Sequence, residues 1–559
     1  MSCLDGIWDF LFLGDVDLDA CAPESLRDWT KTGVPSAFDA TPDLAGKRGV
    51  AAYRRRLSIP AGHSAKLSFG AVSMRCRVFV DGVCLREHAC GYAPFGLELE
   101  ASDDSERELV LLVDNRFDFE HTPMHEPYFD FYQYGGILRS VMLQVFPDTK
   151  PSIDWVKVAP TERYRDGEVS LHIGLRGAVS DSMTLLIAWD HGNEQSYTGT
   201  IIDGEITLTA RVPNPSLWSP ESPLLHAVHV RIKDESHASG SQQARFGLRW
   251  IEAREGALWL NGEQLQLRGY NRHEWHPNFG PCTPPLQMLN DLQHLRDLGC
   301  NFIRGSHYPQ DQRFLDLCDE LGFLVWEENL GWGQRERTLT NETFRAQHLE
   351  SLRAMVHASY NHPCVIIWGF LNEAGSDQPY ARPIIEESAV ELRQLDATRL
   401  VSFASMYALT DICFDLVDLI AINIYPGWYD CDDVEDPLAL IAPYMQKCFD
   451  HFSSDAYADK PVIISEIGAE GLYGWHEPHH DFYTEAYQAN YLRIACQEAL
   501  EHPRSSGIAL WHFSDARTYG TGRSIKRPRT FNNKGTLDEY RRPKLAYQAV
   551  RDVFNAYTS

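Results

Sequence analysis

The sequence predicts a multidomain fold in which a jelly-roll β-sandwich and an immunoglobulin-like β-sandwich precede a (β/α)8 TIM barrel. Its length of 559 residues leaves room for about three to four domains. Short strand-like runs separated by Gly, Pro and Asp fill the first 249 residues, without long helical periods. Beyond about Trp250, eight apolar runs alternate with helical segments, which favours a barrel over the alternative of a doubly wound sheet.

The two predicted β-sandwiches occupy residues 1–148 and 149–249. In the first, typical of a jelly roll, the runs that carry the prediction are Tyr53–Ile59, Cys76–Val80, Glu108–Val113 and Val141–Phe146. In the second, the alternating runs are spaced as in a small immunoglobulin-like sandwich, and they are Val169–Leu175, Met183–Trp189, Ile206–Val212 and Ala227–Ile232.

Residues 250–559 carry the predicted barrel. The eight runs expected to form its strands are Leu265–Tyr270, Asn301–Gly305, Phe323–Glu327, Val365–Leu371, Leu400–Ala404, Leu419–Ile424, Val462–Glu466 and Ile508–Phe513. Helices are expected over Leu286–Leu298, Phe314–Leu321 and Lys544–Tyr557, and a glycine follows each of the first two. In such a barrel the chemistry takes place at the carboxyl ends of the strands.

Charge and cysteine content exclude several classes of partner. The net charge is 51 − 78 = −27, which argues against nucleic acid and anionic membranes. The first residues lack the features of a signal peptide, and no apolar stretch approaches the length of a membrane span. The thirteen cysteines are scattered, without a CxxC pair or zinc-binding spacing. We therefore expect a cytoplasmic protein with reduced cysteines and without a metal or other cofactor.

Two glutamates stand at the ends of almost wholly apolar runs. Glu373 follows the fourth run and Glu466 ends the seventh, where a carboxylate is costly unless it is paired or functional. Strands four and seven lie across a barrel from each other, so both carboxyls can face one sugar ring. Retaining glycosidases need such a pair about 5–5.5 Å apart, one protonated and one ionised. The alternative is a structural salt bridge to an arginine such as Arg304.

The segments around these glutamates resemble glycoside hydrolase family 2. Trp368–Glu373 is similar to its acid/base motif and Pro461–Ala469 to its nucleophile motif, and further similarities lie at Phe302–Pro309, Asn271–Glu274 and Tyr134–Val141. The resemblance implies that Glu373 is the acid/base, Glu466 the nucleophile, Asn372 a partner of the sugar 2-hydroxyl and Tyr425 a residue that positions the nucleophile. It also implies that no cofactor is needed and that the chain forms a homo-oligomer.

One basic segment addresses the identity of the sugar. Gly522–Lys544 contains eight Lys or Arg and two Asp or Glu, a local charge of +6. Within it, Asn532-Asn533-Lys534 resembles the Asn-x-Lys motif with which the family's β-glucuronidases hold the substrate carboxylate. The resemblance further implies substrate contacts by Asp130, His307, Tyr429, Trp511 and an arginine, either Arg529 or Arg527. The alternative for this segment is a solvated basic loop.

One departure from the pattern of the family's bacterial glucuronidases lies after the third run, where the loop at 331–338 is short and contains two arginines. A guanidinium there, such as that of Arg337, would bond the carboxylate or an axial 4-hydroxyl of the sugar. The alternative is a surface arginine without a role in binding. The sequence thus predicts a retaining exo-β-hexuronidase acting on a small glycoside, with a preference for β-galacturonides. The alternatives are a β-glucuronidase, a family 2 β-galactosidase and a non-catalytic carbohydrate-binding protein.

Overall fold

The computed structural model describes residues 1–126, 131–147, 150–177, 181–233, 235, 237–431, 433–519 and 527–557. These residues form two antiparallel β-sandwiches followed by a closed barrel of eight parallel strands, so the predicted fold class is confirmed. Within the same ranges, no α-helix combines the length and apolar character that crossing a bilayer requires.

The front sandwich packs a six-stranded sheet against a four-stranded sheet. In spatial order, the six-stranded sheet contains Thr30–Val34, Gly6–Gly14, Val50–Ser58, Glu106–Asp114, Arg75–Val80 and Val83–His88. The four-stranded sheet contains Ser2–Cys3, Val141–Pro147, His63–Phe69 and Phe95–Leu99. Alternate side chains of both sheets meet in one core, in which Tyr53 and Leu111 of the first sheet lie with Leu67 and Leu143 of the second. A small third sheet joins Ser36–Ala37, Gly136–Ile137 and Val72–Ser73.

The second sandwich is smaller and has its own core. One sheet contains Ser152–Pro160, Glu168–Arg176 and Glu205–Arg211, and the other contains Gln195–Thr200, Ser182–Trp189, His226–Ile232 and Ser241–Phe246. A three-stranded antiparallel sheet, formed by Ile251–Arg254, Ala257–Leu260 and Glu263–Leu265, then leads into the barrel. The predicted boundary at 148/149 lies outside the described residues, and the boundary at 249/250 stays a prediction.

Eight parallel strands close the barrel. They are β1 (Leu267–Arg272), β2 (Phe302–Gly305), β3 (Leu324–Trp332), β4 (Val365–Asn372), β5 (Leu400–Ser405), β6 (Ile420–Asn423), β7 (Val462–Glu466) and β8 (Ser505–Leu510). A two-stranded ladder, Ala516–Arg517 with Phe531–Asn532, follows β8 at the mouth. Because all eight strands are parallel, their carboxyl ends share one rim.

The α-helices of the barrel lie mostly between successive strands. They are α1 (Pro285–Asp297), α2 (Gln312–Leu321), α3 (Glu336–Leu339), α4 (Glu342–Ser359), α5 (Arg382–Leu395), α6 (Ile441–His451), α7 (Glu485–Glu501) and α8 (Leu545–Ala556). The predicted stop of the second helix has a clear cause, since Gly322 adopts the left-handed conformation at φ 74° and its N–H caps the helix at Cys318.

Three of the predicted barrel strands differ from those observed by two residues or more at an end, and the other five differ by at most one. The first begins at Leu267, because Leu265 pairs with Leu258 in the preceding antiparallel sheet. The third extends to Trp332, five residues beyond the predicted end. The eighth ends at Leu510, and the next residue, Trp511, instead donates its N–H to Ile467 O in the loop after β7.

The front sandwich contributes to the barrel mouth. The ring of Phe131 stacks on His273 at 4.6 Å and meets Trp332 edge-on at 4.8 Å. Below this contact, Arg139 donates to Glu274 at 2.8 Å, and both side chains are buried. The carboxyl rim of the barrel therefore has one wall that comes from another part of the chain.

Candidate active site

Glu466 ends β7 and is buried beneath the barrel mouth. Its Oε1 accepts a hydrogen bond from Arg304 Nη1 at 2.7 Å, and its Oε2 accepts one from the Tyr425 hydroxyl at 2.8 Å. The strand that carries it is apolar and buried throughout, so the carboxyl projects from a rigid element. Both carboxylate oxygens thus have donors that favour the ionised form.

Arg304 connects the ends of several strands. Its Nη1 also donates to Asn271 Oδ1 at 2.9 Å, its Nη2 donates to Asn372 Oδ1 at 2.9 Å, and its Nε donates to Glu328 Oε2 at 2.9 Å. Burial lowers the pKa of Arg304, but the charges of Glu328 and Glu466 outweigh burial and raise it overall. A permanent cation therefore lies beside Glu466.

Glu373 directly follows β4 and is only half-buried. Its backbone has a left-handed φ of 52°, which is uncommon for a residue with a side chain. The Glu373 N–H donates to Ala404 O on the neighbouring β5 at 2.9 Å, and its Oε1 accepts a hydrogen bond from Asn423 Nδ2 at 3.0 Å. This carboxyl therefore lies nearer to solvent than that of Glu466.

The carboxyls of Glu373 and Glu466 influence each other's ionisation. Burial, followed by the charge of Glu373, raises the pKa of Glu466 to about 8, while Arg304 and Tyr425 oppose the shift. Since two neighbouring carboxylates resist simultaneous ionisation, the pair retains one proton around neutral pH. Arg304 and Tyr425 are the donors that stabilise the anion of Glu466. The arrangement offers one acid and one nucleophile.

Asn372 lies between the two glutamates in the hydrogen-bond network. Its Oδ1 accepts from Arg304 and, at 3.0 Å, from Asn423 Nδ2, which fixes the orientation of the amide. Its buried Nδ2 has no hydrogen-bond partner within the described ranges. That N–H2 group can therefore donate to a sugar hydroxyl beside the reacting carbon.

His307 and Trp511 form an aromatic wall of the site. Their rings stack at 5.1 Å with an interplanar angle of 16°, and His307 Nδ1 lies 2.9 Å from Glu328 Oε1. Burial raises the pKa of Glu328 to about 7, with Arg304 opposing. Gly468 permits the close approach of the loop after β7, because a Cβ there would lie 2.0 Å from Trp511 O. The wall is suited to stacking against the face of a sugar ring.

A buried ammonium lies on the other side of Tyr425. Lys534 is only 1% exposed, and its Nζ donates to the Tyr429 hydroxyl at 2.9 Å. The same Nζ is 5.6 Å from the centre of the Tyr425 ring and 5.3 Å from that of Trp428. Tyr425 thus touches Glu466 through its hydroxyl and faces Lys534 through its ring.

A second cation shares this pocket with one carboxylate. Arg527 Nη2 donates to the Tyr429 hydroxyl at 3.1 Å, and Arg527 Nη1 donates to Glu470 Oε1. Glu470 Oε1 also lies 3.7 Å from Lys534 Nζ, and both side chains are fully buried. Among the described residues around Tyr429, the Lys534 ammonium and the Arg527 guanidinium therefore lie side by side. Two buried cations that donate to one point suit an anionic ligand.

The remaining predicted site residues lie at different places. Asn532 is buried, and its Oδ1 accepts the Lys534 N–H at 3.2 Å, so it supports the loop of the ammonium. Arg529 is not brought to Lys534, since it pairs with Glu539 at 3.0 Å and its side chain is 44% exposed. Arg337 is exposed, with its guanidinium 3.7 Å above the centre of the Phe119 ring of the front sandwich. Asp130 lies outside the described residues.

Sequence reasoning did not single out Glu470, Glu328 and Asn423 as site residues, although all three belong to the network. Glu470 lies four residues beyond Glu466 in the same loop, and that proximity was the available signal. Glu328 is a charged residue inside an apolar run, the same pattern that identified Glu466. Asn423 ends β6, where it donates to Glu373.

One group of potential metal ligands occurs in the described ranges, and it lies away from this site. Asp319, His362 and Cys364 bring their ligand atoms within 4.8 Å of one another. Cys364 directly precedes β4, whereas Glu373 follows it, so the group is at the opposite end of the barrel. His362 Nδ1 already lies 2.6 Å from Asp319 Oδ2, and burial, then Asp319, raise the pKa of the Cys364 thiol. A hydrogen-bonded structural role fits these contacts.

Two family models match this chain. The one described as "Glycosyl hydrolases family 2, TIM barrel domain" matches residues 251–558, and the one described as "Glycosyl hydrolases family 2" matches residues 152–249. The first match alone spans more than half of the chain. It contains all of the barrel strands and both Glu373 and Glu466.

Relatives extend the similarity over the front sandwich. The crystal structure of a β-galacturonidase from Eisenbergiella tayi bound to galacturonate is 32% identical, with a TM-score of 0.89 and coverage of 99% of this chain and 97% of that chain. The β-glucuronidase of Streptococcus agalactiae is 26% identical over 97% of this chain and 94% of its own length. A putative β-glucuronidase of Formosa agariphila is 30% identical over 72% of this chain, and the match spans half of that protein.

Proposed function

The chain belongs to family 2 of the glycosyl hydrolases, and we propose that it is a retaining exo-β-hexuronidase that releases terminal β-linked uronic acids. The observation that carries the proposal is the buried pocket in which Lys534 and Arg527 both donate to the Tyr429 hydroxyl. A uronate could accept charged hydrogen bonds from these two cations, whereas a neutral hydroxymethyl group has no charge to offer them.

The first chemical step forms a covalent intermediate. The Glu466 carboxylate attacks the anomeric carbon while the bond from that carbon to the leaving oxygen breaks. Glu373 donates its proton to the leaving oxygen, so the aglycone departs as a neutral alcohol. Asn372 Nδ2 is the group available to bond the 2-hydroxyl, a contact that strengthens in the transition state of such reactions.

The second step releases the sugar. Glu373, now a carboxylate, accepts a proton from a water molecule, whose oxygen attacks the anomeric carbon from the face that the aglycone left. The ester bond to Glu466 breaks, and the sugar regains its β configuration. Arg304 and Tyr425, which both donate to the Glu466 carboxylate, stabilise it as the leaving group.

The pocket geometry relates the uronate to the reacting carbon. The ring of Tyr425 separates the Lys534 ammonium from Glu466, and its hydroxyl contacts the Glu466 carboxylate. A sugar with its anomeric carbon at Glu466 and its C6 carboxylate beside Lys534 and Tyr429 would span this ring. Such a pose explains why one site needs both a carboxylate nucleophile and a buried ammonium.

Within the hexuronides, we propose a preference for β-galacturonides over β-glucuronides. The similarity to the Eisenbergiella tayi β-galacturonidase, at 32% identity, exceeds that to the Streptococcus agalactiae β-glucuronidase, at 26%. The loop after β3 adds two arginines near the mouth, and galacturonate differs from glucuronate only at C4. The second candidate is β-glucuronidase activity, which the Asn532-Asn533-Lys534 motif and the names of the curated relatives favour.

A panel of four p-nitrophenyl glycosides tests both levels of the proposal. The panel contains the β-galacturonide, β-glucuronide, β-galactoside and β-glucoside, which differ only at C4 and C6. Comparison of their kcat/KM values therefore separates the effect of the C4 epimer from that of the C6 carboxylate. We expect both uronides to exceed both neutral sugars, and the galacturonide to exceed the glucuronide. Faster hydrolysis of the galactoside than of either uronide would refute the hexuronidase, and faster hydrolysis of the glucuronide would refute only the C4 preference.

We also propose a cytoplasmic location and a homo-oligomeric state. All thirteen cysteines are free thiols in the structure, and eight of them are buried, which suits a reducing compartment. Fractionation of the source cells with an activity assay tests the location, and light scattering of the purified protein tests the assembly.

A further inference from the structure

Arg335 holds the backbone of the proposed acid/base residue. It stands in the short loop between β3 and α3, and its Nη1 donates to Glu373 O at 2.7 Å and to Gln334 O at 3.0 Å. The N–H of Glu373 is held by Ala404 O on β5, so both backbone polar groups of Glu373 have partners. The guanidinium therefore lies directly beside the residue that protonates the leaving group.

Arg335 is an exposed cation. Among the described residues, no carboxylate oxygen lies within 4.0 Å of its guanidinium. Arg304 and Arg529 differ, since Arg304 pairs with Glu328 and Glu466, and Arg529 pairs with Glu539. Within the described ranges, Arg335 is an exposed cation that has no carboxylate partner and that contacts the backbone of Glu373.

Two residues after β5 complete the surroundings of this guanidinium. Met406 places its sulfur 3.8 Å from Arg335 Nη2 and is 45% exposed, and the Tyr407 ring centre lies 6.0 Å from the guanidinium carbon. Burial raises the pKa of the Tyr407 hydroxyl, the charge of Arg335 lowers it, and Asp377 and Glu373 add smaller upward shifts. The cation, the ring and Glu373 thus lie within electrostatic range of one another.

We infer that Arg335, Met406 and Tyr407 form a leaving-group subsite that accepts a carboxylate-bearing aglycone. This rests on the proposed function, since the side of Glu373 that faces the leaving oxygen is defined by its role as acid. The free N–H groups of the guanidinium would bond the carboxylate, and Met406 with Tyr407 would cover the apolar face of the aglycone. The natural substrate would then be a terminal uronic acid linked to a second acidic unit.

A pair of aryl hexuronides that differ only in charge tests the inference. The 4-carboxyphenyl and 4-carbamoylphenyl glycosides of the preferred uronic acid have similar shape, so the ratio of their kcat/KM values isolates the carboxylate. We expect Arg335→Gln to lower this ratio about threefold to tenfold, the range of one partly exposed charged hydrogen bond. Arg335→Lys should keep part of the preference, because it retains the charge.

Controls separate this effect from general ones. Loss of the Glu373 contact slows both substrates alike, so it lowers kcat without moving the ratio. Arg353→Gln makes the same charge change on α4, where Arg353 pairs with Glu391, and should leave the ratio unchanged. Added salt should reduce the ratio of the wild type but not that of Arg335→Gln.

The outcomes have separate meanings. An unchanged ratio in Arg335→Gln, or a fall in Arg337→Gln instead, would overturn the assignment to Arg335 while aryl hexuronide hydrolysis still supports the proposed function. A wild type that hydrolyses neither aryl hexuronide would overturn the proposed function, and the leaving-group subsite with it.

Discussion

Arg304 donates a 2.7 Å hydrogen bond from Nη1 to Oε1 of Glu466, and both side chains are buried at the carboxyl end of the barrel. This contact distinguishes the two glutamates, because Glu373 Oε1 accepts a hydrogen bond from the neutral amide of Asn423. The Arg304 cation stabilises Glu466 as an anion. The proposed roles of Glu466 as nucleophile and Glu373 as acid use this asymmetry.

The two roles predict opposite stereochemistry in rescue experiments. Glu466→Ala should lose at least about 10³-fold in kcat, because the covalent route is removed. Azide can then attack the substrate from the vacated face and give the α-glycosyl azide. Glu373→Ala should lose about 10²–10⁴-fold, and azide attack on the glycosyl-enzyme should give the β-anomer. Proton NMR of the products distinguishes the two, and the same anomer from both variants would refute the assignment.

Tyr425→Phe is expected to change the pH profile. Tyr425 lowers the pKa of Glu466, against the upward effects of burial and Glu373 that place it at about 8. Removal of this donor raises the pKa of Glu466, so the reactive anion forms only at higher pH. The acid limb of kcat/KM should therefore move upward by about one unit, the value of one charged hydrogen bond. A profile measured with the p-nitrophenyl uronide decides this, and an unmoved acid limb would contradict it.

Lys534→Met should remove the preference of the site for uronides over neutral sugars. The substitution removes the buried ammonium beside Tyr429, so a uronate loses one of the two cations available to its carboxylate. We expect kcat/KM for the uronides to fall at least about ten- to hundredfold, and that for the neutral galactoside to change little. Lys66→Met, in the front sandwich, where Lys66 pairs with Asp154, is the control for the loss of one ammonium. Equal losses on charged and neutral substrates would show a folding defect rather than lost recognition.

The positions of the two glutamates could be predicted from the sequence, because the barrel fold determines where strand ends lie. The carboxyl ends of parallel strands share one rim, so a carboxylate after an apolar run, as at Glu373 and Glu466, is bound to reach the mouth. The end of β8 was harder to place, since an apolar run cannot distinguish a strand residue from one such as Trp511, which packs against a loop. Local periodicity predicts helices and strands, but it does not predict where β8 ends or which loop Trp511 packs against.

The arginine of the charged pocket could not be chosen from the sequence. Arg527 and Arg529 are two residues apart in one loop, and their different contacts depend on the backbone of that loop. Arg529 has a left-handed φ of 64° and turns to Glu539, whereas Arg527 reaches Glu470 in the loop after β7. The partner of each is distant in sequence, so only the tertiary structure brings them together.

This difference gives a matched pair of variants. Arg527→Gln removes one of the two cations that face Glu470, so KM for the uronide should rise about tenfold or more. Arg529→Gln removes an exposed guanidinium paired with Glu539 and should change KM less than about threefold. Both variants carry the same charge change in the same loop, and initial-rate kinetics with a uronide and a galactoside compare them. A larger effect of Arg529→Gln on the uronide would place the carboxylate elsewhere.

Arg337 is predicted to influence the choice between the C4 epimers. Its guanidinium stacks on Phe119 of the front sandwich, 3.7 Å from the ring centre, which limits its movement near the barrel mouth. If it bonds an axial 4-hydroxyl, Arg337→Ala should lower kcat/KM for the galacturonide about threefold to tenfold and leave the glucuronide nearly unchanged. Phe119→Leu, which keeps the arginine but loosens it, should produce a smaller change in the same direction. Parallel kinetics on the two p-nitrophenyl uronides give the ratio directly. An Arg337→Ala enzyme with an unchanged epimer ratio would assign the residue to the contact with the front sandwich alone.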